Sequence, residues 1–285
     1  MLHIYVVGCG GIGGYLLDKL PMCIASLSLD CATSDARDRH LANAGMEALG
    51  SVVDDITLID GDSFEPRNAL RQEEGGGSKL IQRMRKMKDS IVMSSYLRNV
   101  ELIGYNDYLT PDNIEEIIPK LPKPNKHNDA EDVRLRSVLS NSASVVFLCV
   151  DNLKTRYEVS KYCEGLRDVI VFNGGNDKTK GHVTVYERAE GIELDPPIYT
   201  VYPEIRPDAD LRPDETPCTQ IAPKHDQIAV TNSMIADVML ARFIQWVQSG
   251  LQVCRNDKWI RYNEVLIDIE TPSVTPLYHP KKEIK

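Results

Sequence analysis

The feature that most constrains the fold of this chain is an alternation of short apolar segments with segments of helical periodicity. Five segments have the length and composition of β-strands, namely LHIYVV (2–7), DITLID (55–60), VELIGYND (100–107), SASVVFLCVDN (142–152) and DVIVFNGGND (168–177). The segments between them include SKLIQRMRKMKDSI (78–91), which carries apolar residues at helical spacing. This order predicts parallel strands joined by crossover helices, as in a doubly wound α/β sheet.

Beyond residue 177 the pattern changes from parallel to antiparallel character. GHVTVYER (181–188) alternates in polarity like one arm of a hairpin, and the tail WIRYNEVLIDIETPSV (259–274) is typical of a final hairpin. Between them, residues 228–250 form the longest predicted helix. The expected fold class is therefore α/β, a doubly wound and mostly parallel sheet with antiparallel C-terminal strands, in a single domain over residues 1–285.

Composition narrows the class of protein. The 285 residues are 42% hydrophobic and 26% charged, which fits an ordinary soluble globular chain. The formal net charge of -9 argues against a general nucleic-acid binder, which needs a basic face. Seven cysteines without a C-x-x-C pair argue against a disulfide framework or structural zinc, and favour reduced thiols in a cytoplasmic protein. No apolar run approaches the roughly 18 residues of a membrane span, and the N-terminal run is a strand rather than a signal peptide.

A glycine-rich turn follows the first predicted strand. GCGGIGG, defined here as the glycine turn (residues 8–14), contains Gly8, Gly10, Gly11 and Gly13 and precedes a predicted helix. Glycines in this context permit a tight turn and let backbone amides approach a phosphate at the positive end of the helix. The turn therefore indicates nucleotide binding; a merely structural turn is the alternative.

The acid that binds ribose in dinucleotide folds is expected at the end of the second strand, about 20 residues after the glycines. Asp60 is the first acid at a convincing strand end, so an insertion delays the second strand. Its carboxylate can accept two charge-assisted hydrogen bonds from ribose hydroxyls. The alternative is an aspartate that caps a helix or stabilises a turn.

Polar residues that suit a phosphate site follow Asp60. They are Asp62, Asn68, Arg71, Gln72 and Lys79. Arginine offers a bidentate fork and lysine a point charge, and both stabilise negative charge on phosphates. A solvated polar loop is the alternative for such a cluster.

Asp151 ends another apolar strand, at the edge where open α/β sheets bind ligands. A carboxylate at this edge can hold Mg2+ between the protein and the phosphates of a nucleotide. The alternative is an N-cap for the helix that is predicted from residue 154.

Taken together, GCGGIGG, LIDGDSFEPRNALRQ, the lysine in the next helix and VVFLCVDNLKTR resemble the E1-like superfamily of ThiF-, MoeB- and HesA-type adenylating enzymes, which includes the ubiquitin-activating enzymes. The family pattern after the second strand is D-x-D-x-V-x-x-x-N-L-x-R-Q. Five residues are in register with it: Asp60, Asp62, Asn68, Arg71 and Gln72. Phe64 replaces the aliphatic residue of the pattern and Ala69 replaces the leucine.

The resemblance implies a Rossmann-like adenylation fold and a set of roles. Asp60 would bind the ribose of ATP, Asn68, Arg71 and Lys79 would contact the phosphates, and Asp151 would coordinate Mg2+. The implied reaction is attack of a carboxyl-terminal carboxylate, from a small ubiquitin-like or sulfur-carrier protein, on the α-phosphate of ATP. The resemblance also implies a homodimer. Relatives supply an arginine from a helix ahead of the first strand, which is not expected here, and Arg67 is a candidate substitute.

A second resemblance lies in TPCTQ (216–220), which is similar to the segment around the thioester cysteine of ubiquitin-type activating enzymes. It implies that Cys218 receives the activated carboxyl group, that residues 189–217 form the family's crossover loop, and that residues 218–250 are a cysteine-bearing segment with a long helix. A packing cysteine near a helix start is the alternative.

Two other functions fit a glycine turn in a parallel sheet. One is an NAD-dependent Rossmann oxidoreductase and the other is a non-catalytic nucleotide-binding scaffold. Arg71 and Lys79 separate the first from an adenylating enzyme, because a dehydrogenase has no use for two phosphate-binding cations after its second strand. A pyrophosphate-exchange assay distinguishes the scaffold from an adenylating enzyme, because a scaffold would show no exchange with any partner.

Overall fold

A computed structural model describes residues 2–34, 53–65, 77–120, 142–210, 228–251 and 262–280. Nine strands in these ranges form one sheet. They are β1 (Leu2–Val7), β2 (Val53–Ile59), β3 (Glu101–Tyr105), β4 (Ala143–Leu148), β5 (Val169–Asn176), β6 (Lys180–Ala189), β7 (Ile192–Glu193), β8 (Glu264–Asp268) and β9 (Ser273–Leu277). The strand order is β3-β2-β1-β4-β5-β6-β8-β9, with β7 paired to β6.

The helices of the described ranges connect and cover these strands. They are α1 (Gly11–Ser34), α2 (Lys79–Lys88), α3 (Ile91–Ser95), α4 (Ile114–Ile117), α5 (Leu153–Cys163), α6 (Ile198–Val201) and α7 (Ala229–Leu251). Strands β1 to β5 pair in parallel, whereas β6, β7, β8 and β9 pair antiparallel. The predicted fold class is therefore confirmed.

The strand order reverses at β1, which lies between β2 and β4. Val7, the last residue of β1, is in register with Ile59 of β2 and with Leu148 of β4. The carboxyl ends of three parallel strands thus meet at one point of the sheet edge. Open α/β sheets bind their ligands at such a reversal of strand order.

Apolar layers cover both faces of the sheet. One face packs against α1 and α7, where Phe147 and Phe172 stack with ring centroids 5.3 Å apart and Phe243 of α7 meets Phe147 edge-on at 5.6 Å. The other face packs against α4 and α5. Burial of each such phenylalanine contributes roughly 1.5–3 kcal/mol, so the sheet edge that carries the site rests on a rigid core.

The prediction that residues 228–250 form the longest helix is wrong, because α7 has 23 residues and α1 has 24. Helix α1 continues through Pro21, which lacks the amide that a helix interior uses. The turns around Pro21 are held by Leu17, Leu20 and Ile24, each at most 2% exposed, and this burial outweighs the lost hydrogen bond.

Several predictions fall on other parts of the chain. Cys218 and residues 211–217 of the expected crossover loop lie outside the described residues. Of that loop, residues 189–210 are described and include β7 and α6. None of the helices in the described ranges is long and apolar enough to traverse a bilayer.

Candidate active site

A cleft of about 740 Å³, partly open to solvent, lies where β1, β2, β3 and β4 end. Its wall is built from the glycine turn, residues 59–62, the first residue of α2, and the segments 107–109 and 149–152. All of these follow a strand or begin a helix, so the sheet fixes their positions. The cleft is thus located where the strand order reverses.

The glycine turn is a backbone device that requires glycine at two positions. Gly8 has φ +90°, which disfavours other residues, and a Cβ there would lie 2.9 Å from the carbonyl oxygen of Cys149. A Cβ at Gly13 would lie 1.9 Å from the carbonyl oxygen of Gly8. Helix α1 begins at Gly11, so its positive end faces the cleft beside Gly10.

Asp60 connects β2 to the glycine turn. Its Oδ2 accepts a hydrogen bond from the backbone amide of Cys9 at 2.6 Å, and its Oδ1 accepts one from the amide of Asp62 at 2.7 Å. Burial raises the pKa of Asp60, while Lys79 and the two amides act in the opposite direction. The turn-stabilising alternative thus describes part of its role, and each oxygen keeps acceptor capacity toward the cleft.

Lys79 carries a nearly buried positive charge at the start of α2. The residue is 8% exposed, and its Nζ lies 2.8 Å from Oδ2 of Asp62. The backbone amide of Lys79 also donates to the carbonyl oxygen of Asp62 at 3.1 Å. Ser78 caps the helix by accepting from the amide of Ile81 at 3.4 Å, which fixes where α2 begins.

Tyr108 is a site residue that the sequence analysis does not include. Its hydroxyl donates to Oδ1 of Asp62 at 2.5 Å, and its ring packs so closely on Gly61 that a Cβ there would lie 3.0 Å from it. Tyr108 and Asp107 line the cleft just beyond β3. Their position after a parallel strand is the signal that could have identified them.

The segment between Asp62 and Lys79 is closed at its base. The amide of Phe64 donates to the carbonyl oxygen of Gly77 at 2.8 Å, and Ser63 forms an isolated antiparallel bridge with Ser78. Asn68, Arg71 and Gln72 lie between these ends, outside the described residues, as does Arg67.

Arg83 lies one helical turn after Lys79 and is 3% exposed. Its guanidinium lies 5.9 Å from the ring centroid of Phe64, and a Cβ on Gly14 would meet it at 2.4 Å. Phe64, the departure from the family pattern, therefore packs beside an arginine that also borders α1.

Asp151 is exposed at the mouth of the cleft. The alternative that it caps α5 is wrong, because the cap is Asn152, whose side chain accepts from the amide of Thr155 at 2.8 Å. Behind this corner, the buried Arg156 donates to Asn173 at 2.5 Å and to the carbonyl oxygens of Gly174 and Val150. Arg156 thus joins the ends of β4 and β5 and leaves Asp151 facing the cleft.

Seven of the predicted site residues line one cleft: Gly8, Gly10, Gly11, Asp60, Asp62, Lys79 and Asp151. Gly13 supports the turn from within α1. Asn68, Arg71, Gln72 and Cys218 lie outside the described residues. In the described part of the chain, no group of three or more His, Cys, Asp or Glu side chains could hold a metal ion.

Residues 189–210 are the described part of the expected crossover loop and are called the crossover segment here. Side chains hold this segment in place. The hydroxyl of Tyr199 donates to Glu164, and that of Tyr202 donates to Glu264 of β8. Asp210 accepts from the backbone amide of Leu153, the first residue of α5, at 2.6 Å. The segment is therefore tied to the same helix that follows Asp151.

Comparisons with known proteins agree with this geometry. The model of the ThiF family matches residues 39–283, well over half of the chain. Among solved structures, E. coli MccB with ATP has a TM-score of 0.56 at 13% identity, covering 99% of this chain and 65% of MccB. E. coli MccB with SeMet MccA has a TM-score of 0.53 at 14% identity, with the same coverage. SeMet PaaA has a TM-score of 0.51 at 13% identity, covering 97% of this chain and 72% of PaaA.

At these identities the solved structures show the fold, and the chain spans 65% of the length of MccB. No curated protein matches the sequence. The family match begins after the glycine turn, so that turn and the family model are separate observations. With an E1-like sheet and a match over residues 39–283, this chain belongs to the ThiF family.

Proposed function

We propose that this protein uses Mg-ATP to adenylate the carboxyl-terminal carboxylate of a small ubiquitin-like or sulfur-carrier protein. The observation that carries the proposal is the Lys79–Asp62 pair beside the glycine turn, in a cleft at the strand reversal of a ThiF-family chain. A nearly buried cation next to helix amides favours an anionic ligand such as a triphosphate.

In this proposal the nucleotide lies across the cleft with its ribose at Asp60 and its phosphates at the glycine turn. Asp60 accepts hydrogen bonds from ribose hydroxyls with the acceptor capacity that Cys9 and Asp62 leave. Gly10 and Gly11 offer backbone approach at the positive end of α1, and Lys79 supplies a point charge. The base then lies toward Asp107 and Tyr108, because these follow β3 on the far side of β2.

The proposed reaction joins two anions. An oxygen of the partner's carboxylate attacks the α-phosphorus of ATP and forms a carboxyl–phosphate bond. The bond from the α-phosphorus to the bridging oxygen of the β-phosphate breaks, and pyrophosphate leaves with that electron pair. Alignment of the two reactants and stabilisation of charge on the leaving group supply most of the rate.

Asp151 fits a magnesium ion that arrives with the nucleotide. Mg2+ prefers oxygen ligands and is often held by one or two carboxylates together with substrate phosphates, which suits an exposed carboxylate where no protein-only cluster is described. When bound, the ion offsets negative charge on the phosphates. Asp151 would hold it, and Arg156 would keep the corner after β4 in place.

The resemblance adds Asn68, Arg71 and Gln72 to the nucleotide site as proposed contacts. It also adds a second step at Cys218. In that step the thiolate of Cys218 attacks the acyl carbon, a carbon–sulfur bond forms, and AMP leaves as the carbon–oxygen bond breaks. Cys218→Ala should therefore spare pyrophosphate exchange and abolish a thiol-sensitive conjugate.

A polypeptide partner is supported by the solved relatives. The MccB structures include complexes with MccA and with N-formylated MccA. The partner's tail would approach from the side of β5, where Asn176 lines the cleft. We also propose, from the family resemblance, that the protein is a cytoplasmic homodimer, which light scattering can measure.

The NAD-dependent oxidoreductase is not favoured, since family membership and the Lys79–Asp62 pair both argue against it. Calorimetric titrations with Mg-ATP and with NADH provide the first test, and we expect heat of binding from Mg-ATP alone. ATP–pyrophosphate exchange with small carrier proteins that end in Gly-Gly is the second. The proposed function would be overturned if the protein bound NADH in place of ATP, or if none of these carrier proteins supported exchange.

A further inference from the structure

Tyr108 is connected through Asp62 to Lys79, the cation that is proposed to contact the phosphates. Its hydroxyl donates to Oδ1 of Asp62 at 2.5 Å, and Oδ2 of the same carboxylate lies 2.8 Å from Nζ of Lys79. The three side chains come from the end of β3, the end of β2 and the start of α2. The carboxylate of Asp62 therefore receives a neutral donor on one oxygen and a cation on the other.

We propose that Tyr108 is a positioning residue that sets the place of the Lys79 ammonium by fixing the rotamer of Asp62. The inference rests on the proposed function, in which Lys79 stabilises phosphate charge. It adds a residue that follows β3 and belongs to neither the glycine turn nor the motif after the second strand.

Asp62 and the phosphates are both anionic and would compete for the Lys79 ammonium, so the position of Asp62 matters. A carboxylate that binds a lysine can rotate together with it, so the pair can swing away from the phosphates as a unit. The Tyr108 hydroxyl prevents that rotation and takes up part of the carboxylate's charge, because hydrogen bonds to ionised groups are short and strong. Lys79 is then anchored and still able to face an incoming anion.

The ring of Tyr108 has a separate structural role, which allows a clean substitution. A Cβ built on Gly61 would lie 3.0 Å from the ring, and a phenylalanine preserves this packing while removing the hydroxyl alone. Tyr108→Phe should therefore keep the fold. Tyr278→Phe is the matched control, because Tyr278 is 58% exposed and lies outside the cleft.

In ATP–pyrophosphate exchange, we expect Tyr108→Phe to lower kcat by about tenfold and to change the KM for ATP by less than about threefold. In an Asp62→Ala background the same substitution should have no further effect, because the connection to Lys79 is already lost. An equal loss of kcat in both backgrounds would show that Tyr108 acts independently of Asp62 and would overturn the inference.

A second measurement does not depend on catalysis. In protein labelled with 13C-lysine, the Cε resonance of Lys79, assigned with Lys79→Arg, should move in Tyr108→Phe and stay in Tyr278→Phe, with no nucleotide present. A Lys79 resonance that ignores Tyr108→Phe would overturn the inference. If that resonance moves while the wild-type protein shows no exchange, the connection stands and the proposed function fails.

Discussion

The glycine turn and residues 199–202 of the crossover segment are held by different kinds of hydrogen bond. Beside the glycine turn, the carboxylate of Asp60 accepts from the backbone amides of Cys9 and Asp62. In residues 199–202, the hydroxyls of Tyr199 and Tyr202 donate to the distant side chains of Glu164 and Glu264.

The difference suggests a division of labour. Amides of a turn have few conformations, so a carboxylate that binds them stays in place when a ligand enters or leaves. Two long side chains lose more freedom on pairing, and their contacts are easier to exchange. The first arrangement suits the nucleotide site proposed above, and the second suits a surface that the tail of the proposed partner would cross.

The largest expected effect concerns Asp151, the proposed ligand of Mg2+ in the cleft. Asp151→Ala should abolish pyrophosphate exchange, a loss of more than about a thousandfold, while the melting temperature stays within a few degrees of wild type. The control is its neighbour: Asn152→Ala removes the α5 cap and should cost about 1 kcal/mol of stability. Full exchange by Asp151→Ala would remove this residue from the metal role.

The next effect concerns the cation of the cleft. Lys79→Ala should reduce exchange by about a hundredfold or more, because the positive charge that stabilises the leaving pyrophosphate is removed. Lys88→Ala, an exposed lysine of the same helix, should be silent. Equal activity of the two variants would place the phosphates elsewhere.

A pH effect is expected where the crossover segment meets the sheet. His182 stacks on Tyr202 with ring centroids 4.9 Å apart, and burial, with Arg156 nearby, lowers the pKa of His182 to about 4 while Glu264 opposes the shift. The unfolded chain binds a proton at His182 near pH 6.5 and the folded chain does not, so the free energy of unfolding should fall as the pH drops from 6.5 toward 4. His182→Phe keeps the stacking and should flatten this part of the pH profile; an unchanged slope in urea denaturation would contradict the assignment.

The smallest effect isolates a single hydroxyl of the crossover segment. Tyr202→Phe should lower stability by about 1 kcal/mol, because Glu264 retains His279, whose Nε2 lies 2.5 Å from Oε2. Binding of Mg-ATP should be unchanged by calorimetry. A large loss of nucleotide affinity would show that the two regions are coupled and would contradict a division of labour between them.

The sequence predicts the centre of the sheet well because β1, β4 and β5 are buried on both faces. Continuous apolar runs such as that ending at Leu148 have few other places in a soluble fold, and Asp60 and Asp151 follow directly from the ends of those runs. Lys79 is identified as the lysine of the helix that follows the motif after β2. The described cleft residues that belong to a motif could thus be identified from the order of strands and motifs along the chain.

What the sequence could not predict depends on contacts between distant segments. The position of Tyr108 after β3 can be inferred from the sequence, whereas its hydrogen bond to Asp62 emerges only because β3 lies beside β2 in the sheet. The capping of α5 by Asn152 rather than Asp151 depends on one residue of register, which helix signals do not resolve. Pro21 favours a break in α1 by local chemistry, and only the burial of its neighbours explains why the helix continues.

The pairing of Phe64 with Gly77, and of Ser63 with Ser78, forms a neck that joins the two ends of the twelve residues 65–76. Since the entropy of closing a loop rises by only about 0.6 kcal/mol for each doubling of its length, residues can be gained or lost above this neck at small cost. The lysine below would keep its place in every such variant. In the proposed function, a change in the number of these residues would alter how the chain contacts the triphosphate and would leave Lys79 in place.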